Sequence, residues 1–99
     1  MKIWLDDEPE VPTREPPPGW VAVKTARLAI RLLKTGEVTE INFDHDLGGF
    51  FDGGTVAKWI EREAFFGKIP RLIWGIHSAN PAGRERIEAA MKSAERFWG

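Results

Sequence analysis

Cysteine is absent from the 99 residues. This removes disulfides, thiolate nucleophiles and cysteine-based zinc sites, and suits a reducing compartment. An excess of charge of either sign is also missing: 14 Lys and Arg stand against 15 Asp and Glu, a formal net charge of -1. The field of the whole molecule therefore neither draws nor repels a polyanion. Stable binding to duplex DNA is not expected, and any nucleic-acid contact needs a local patch. No apolar run approaches the roughly 20 residues that cross a bilayer, and the N-terminus has no basic-then-apolar signal region. The expectation is a cytoplasmic protein without a membrane partner. Internal repeats and low-complexity tails are absent as well. What is present is an ordinary globular balance, 42% hydrophobic and 29% charged, with five Trp and six Phe that fill a core from few positions. A chain of this size forms one domain, residues 1–99, and buries roughly two thirds of its unfolded surface.

Lys2 to Leu5 is short and apolar, as in a central strand covered on both faces, and ends in Asp6-Asp7-Glu8. Pro9 to Gly19 holds five of the seven prolines, which excludes a regular helix and predicts a stiff extended crossover. Trp20 to Val23 reads as a second strand. Thr25 is placed to cap a helix with Leu28, Ala29, Leu32 and Leu33 as its buried positions, ended by Gly36. Val38 to Phe43 is a third strand. Phe50, Phe51 and Asp52-Gly53-Gly54 predict a mobile connection, before a helix from about Thr55 to Phe66 with Val56, Trp59, Ile60 and Phe65 as its buried stripe. A fourth strand, Leu72 to Ile76, ends in His77-Ser78-Ala79. Asn80 as cap and Pro81 at the first position open a last helix striped by Ile87, Ala90, Met91, Ala94 and Phe97. This alternation argues a small, mostly parallel sheet with helices packed on it. Trp4, Trp59 and Trp74 are expected in the core, and Trp20 and Trp98 at a rim.

The polar chemistry gathers at three strand ends: Asp6-Asp7, Asp44-His45-Asp46 in the run I-N-F-D-H-D-L-G-G, and His77-Ser78. Parallel adjacent strands would bring these ends into one pocket, where open α/β sheets keep their sites. Four carboxylates in a small volume repel one another and call for a cation among them. Oxygen ligands suit Mg²⁺, and imidazoles widen the choice to Mn²⁺. Phosphate contacts would come from Ser78, the amino end of the last helix, and Arg84 or Arg86. Each residue also has a plainer reading. A strand-end aspartate caps turns, a single histidine is commonly a hydrogen-bonded structural residue, Asn80-Pro81 is explained by capping alone, and helix arginines are usually solvated.

The three strand ends resemble response-regulator receiver domains. Asp6-Asp7 looks like their acidic pair, Asp44 falls where the phosphoacceptor stands, Ser78-Ala79 resembles the Ser/Thr-Ala step, and Asp46 lies where receiver backbone contributes a carbonyl to Mg²⁺. The resemblance runs from Lys2 to about Ala94. It implies a three-layer, flavodoxin-like parallel sheet of about four strands in order 2-1-3-4. The proline-rich loop is expected to replace the receiver's first helix, and neither a fifth strand nor a lysine for an acyl phosphate is expected. The added histidines, in D-H-D-L-G and H-S-A-N-P-x-G, resemble a divergent group of short receiver-like proteins named for predicted cyclic-phosphate processing.

The function expected is a metal-dependent phosphoesterase acting on a small or RNA-terminal cyclic phosphate. Asp6, Asp7 and Asp44 would hold Mg²⁺ or Mn²⁺, Asp46 would assist or orient water, His45 and His77 would transfer protons, and Ser78 and Arg84 would bind phosphate. Two alternatives stand beside it. One is a non-enzymatic receiver-like module that binds Mg²⁺ or is phosphorylated on Asp44 and signals to a protein partner. The other is an interaction protein with a vestigial pocket that uses Phe50, Phe51 or Trp98.

Overall fold

The computed structural model describes residues 1–7, 15–44 and 52–99. Four short strands, β1 (Lys2–Leu5), β2 (Trp20–Val23), β3 (Glu40–Phe43) and β4 (Ile73–Ile76), alternate with helices α1 (Ala26–Leu33), α2 (Gly53–Phe65) and α3 (Pro81–Trp98). The sheet is wholly parallel in the order β2-β1-β3-β4. Leu5 pairs with Val23 and Phe43, and Phe43 with Ile76, so the strands end level. Residues 15–19 are not helical; they close in a turn in which Trp20 N–H donates to Pro17 O (3.2 Å) and Gly19 takes a φ of 89°.

Alternation along the strands sends Ile3, Leu5, Ile41 and Phe43 to one face, all four fully buried. They join Ala26, Ala29 and Leu33 of α1, Val56, Ala57 and Ile60 of α2, and Ile87, Met91 and Ala94 of α3 in one cluster. The β2-α1-β3 and β3-α2-β4 crossovers move the same way across the sheet, so right-handedness puts their helices on the same side. The described helices thus form a single layer, and the third layer of a receiver has no described helix to build it. The opposite face carries Lys2, Trp4, Trp20, Glu40 and Asn42, with Lys2 Nζ 3.8 Å from Glu40.

Thr25 and Asn80 cap α1 and α3 as expected. The connection expected at Asp52-Gly53-Gly54 is instead the start of α2. Asp52 Oδ1 accepts from Thr55 N (3.0 Å) while Asp52 N donates to Thr55 Oγ1 (3.4 Å), a capping box, and both glycines are buried first-turn residues. Three stripe positions also differ. Leu28, Phe65 and Phe97 are 41%, 61% and 46% exposed, because Ala26 in α1, Ala64 in α2 and Trp98 in α3 hold the inward places. Val38 and Leu72 are buried but stand outside the ladders. All five tryptophans are partly buried, so core and rim are less distinct than expected. Trp74 Nε1 donates to Glu95 Oε1 (2.6 Å) and Trp98 Nε1 to Ile69 O (3.2 Å), fastening α3 to the β4 edge.

Candidate metal and phosphate site

Asp6, Asp44 and His77 are each the first residue past a strand, and the ladders run on through their backbones. Asp6 N donates to Val23 O (3.0 Å), Asp44 N to Leu5 O (2.9 Å) and His77 N to Phe43 O (2.9 Å). Level strand ends thereby become a row of three side chains. One ligand atom from each lies within 4.8 Å of the other two. Asp6 is fully buried, Asp44 is 6% exposed and His77 is half-buried. Carboxylates so placed are stable only with hydrogen bonds or positive charge beside them.

His77 is held from three sides. Its Nε2 is 3.0 Å from Asp6 Oδ2 and its Nδ1 is 2.6 Å from Asn42 Oδ1. Its ring stacks on Trp4, with centroids 4.1 Å apart and planes 5° from parallel. Trp4 meets Trp20 edge-on at 5.8 Å. Donation of Nδ1–H to Asn42 leaves the neutral imidazole with its lone pair on Nε2, facing a carboxylate. A cation between Nε2 and Asp6 would satisfy both acceptors. A histidine that donates its far nitrogen to an oxygen while turning the near one to carboxylates has the usual support of a metal ligand.

A family model described as Cyclic-phosphate processing Receiver domain matches residues 1–93. The chain belongs to this family. Comparison with curated proteins and with solved structures gives no match.

Within this receiver domain the other expected site residues are distributed unevenly. Asp7 sits in the bend after β1, partly exposed and outside the group of three. His45, Asp46, Phe50 and Phe51 lie outside the described residues. Ser78 is buried, and its Oγ accepts from Asn80 N (3.2 Å). Arg84 Nη1 donates to the carbonyls of Ile76 and Ser78, both at 3.2 Å, and so clamps the turn from β4 into α3. Arg86 lines a groove with Asp52, Gly54, Thr55 and Lys58.

Two residues of the site were not singled out from the sequence. Asn42 reads as a polar interruption in β3, and Trp4 as core. The signal for both is register: Trp4, Asn42 and Gly75 are paired across the sheet. Gly75 is what admits Asn42, because a Cβ there would stand 2.8 Å from Asn42 Nδ2. Among the described residues no helix is long and apolar enough to cross a membrane.

Proposed function

We propose that this receiver domain is a divalent-metal-dependent phosphoesterase that opens a cyclic phosphate, small or RNA-terminal. The observation that carries the reading is the convergence of Asp6, Asp44 and His77 within 4.8 Å, with His77 oriented by Asn42 and Trp4. The donor set fits a hard cation: carboxylate oxygens suit Mg²⁺, and one imidazole nitrogen admits Mn²⁺. A bound divalent ion would supply charge stabilisation to a phosphoryl oxygen. Asp6, Asp44 and His77 would hold it, with Asp7 close in sequence as a further oxygen donor.

Hydrolysis of a cyclic ester adds a water oxygen to phosphorus and breaks one ring P–O bond. The water gives up a proton and the released oxygen takes one. Nδ1 of His77 is held by Asn42 while Nε2 faces Asp6, where a metal would sit, which favours a ligand role for it over proton transfer. His45 and Asp46, which follow Asp44 in sequence, are the groups proposed to move protons. Ser78 keeps its hydroxyl proton for a phosphate oxygen while its lone pair holds the turn. Arg84, engaged with two carbonyls, serves the phosphate site by fixing the turn that carries Ser78.

The test is calorimetric titration of Mg²⁺ and Mn²⁺ into the wild-type protein and Asp44→Ala, followed by 2′,3′-cyclic nucleotide and phosphorus NMR on the same samples. Metal binding and ring opening, both lost in the folded variant, are the expected result. Metal binding without turnover would reassign the domain as a receiver-like binding module. A variant that binds metal as well as the wild type would remove Asp44 from the site.

A further inference from the structure

The cleft between α1 and α2 carries a feature the reaction does not use. From Lys24 to Gly36 the chain has four cations, Lys24, Arg27, Arg31 and Lys34, and no acid, although acids slightly outnumber bases overall. Arg27, Arg31 and Lys34 fall at i, i+4 and i+7, one helix face. Together with Ala26, Ile30 and Thr55 they line an open groove of about 400 Å³ between α1 and α2. A second groove, of about 320 Å³, lined also by Asp52 and Gly54, shares Thr55 and continues past Lys58 to Arg86 of α3. Some charges elsewhere on the surface are paired, as in Lys2–Glu40, Lys58–Glu61 and Glu88–Lys92. Arg27, Arg31, Lys34 and Arg86 make no ion pair among the described residues.

We propose that this cationic groove binds the phosphodiester backbone of a single-stranded RNA whose cyclic-phosphate end reaches the Asp6–Asp44–His77 site. The position of that end rests on the reading above; the groove itself does not. Charge complementarity selects a polyanion, and the groove's shape selects a strand. Arg27 and Lys34 are about 10 Å apart along the helix, at 1.5 Å per residue, a span of consecutive phosphates instead of one. The groove also starts beside the site. Asp6 N is bonded to Val23 O, and α1 begins three residues later at Ala26. The half-buried Ile30 in its lining offers apolar surface to sugar and base without imposing a sequence.

The experiment measures fluorescence anisotropy of a short labelled oligoribonucleotide ending in a 2′,3′-cyclic phosphate, across a salt series. The proteins are the wild type, Arg27→Ala, Arg31→Ala and Arg31→Lys, with 2′,3′-cyclic mononucleotide turnover measured in parallel. Three phosphate contacts predict a log–log salt slope of about -2, so affinity falls roughly twentyfold between about 50 and 200 mM salt. Each alanine variant should flatten the slope by about 0.7, and Arg31→Lys should restore it. Mononucleotide turnover, which needs only the metal site, should stay at the wild-type rate in all three variants. Oligonucleotide binding that is absent, independent of salt, or unchanged in both alanine variants would overturn the groove and leave the metal site standing. Binding with the expected slope but no turnover would support the groove and refute the phosphoesterase. Preference for phosphatidylserine vesicles over the oligonucleotide would overturn RNA in favour of a lipid surface.

Discussion

Gly75→Ala tests the support of His77 without touching the ligands. The added Cβ would lie 2.8 Å from Asn42 Nδ2 and 3.7 Å from Cγ. The first distance is too short to persist, so the Asn42 amide must turn away and lose its 2.6 Å contact with His77. A lost hydrogen bond of this kind costs about 0.5–1.5 kcal/mol, and overpacking adds about 1 kcal/mol or more. Against this, alanine stabilises by about 0.4–1 kcal/mol through the unfolded chain, since Gly75 lies outside the left-handed region. The net expectation is a loss of about 1–2 kcal/mol in urea denaturation. In an Asn42→Ala background the obstacle is gone, so the same substitution should be neutral or stabilising by about 0.4–1 kcal/mol, a coupling of about 2 kcal/mol. Mn²⁺ affinity by calorimetry should fall about 10–100-fold in Gly75→Ala, the usual cost of losing the hydrogen bond behind a metal-ligating histidine. Equal destabilisation in both backgrounds, or wild-type Mn²⁺ affinity in Gly75→Ala, would refute the reasoning.

Trp4→Ala removes the ring beneath His77 and should weaken Mn²⁺ binding more than Trp4→Phe, which keeps a stacking surface; equal titrations of the two would show that the stack does not position the imidazole. Asp52→Ala breaks the α2 capping box and should cost about 1 kcal/mol in thermal unfolding, whereas Asp52→Asn should cost much less. The Lys92 ammonium, hydrogen-bonded at 2.8 Å, holds the exposed Glu88 carboxyl below its ordinary value of 4.5. Because the folded value is depressed, this pair's contribution is present above the ordinary value and is lost as pH falls through the lowered one. Melting curves of Glu88→Gln and wild type should therefore converge in acid, and in concentrated salt at neutral pH, where an exposed pair is screened.

The sequence by itself determined the alternation of strands and helices, the helix caps at Thr25 and Asn80, and the strand ends that bear Asp6, Asp44 and His77. These are local properties: an apolar run, a capping side chain and a polar residue after a strand are read within a few positions. Stripe positions were harder, as Phe65 and Phe97 show, because hydrophobicity alone does not say which of two neighbouring apolar side chains faces the sheet. The part played by Asn42, Trp4 and Gly75 was decided only by the tertiary structure. Which residue of β3 stands opposite which residue of β1 and β4 is a non-local quantity, and a slip of one residue would turn Asn42 into the core and Phe43 out of it. The same holds for α1. Its cations are plain in the sequence, but they become a groove only when Thr55, from α2, is packed beside them.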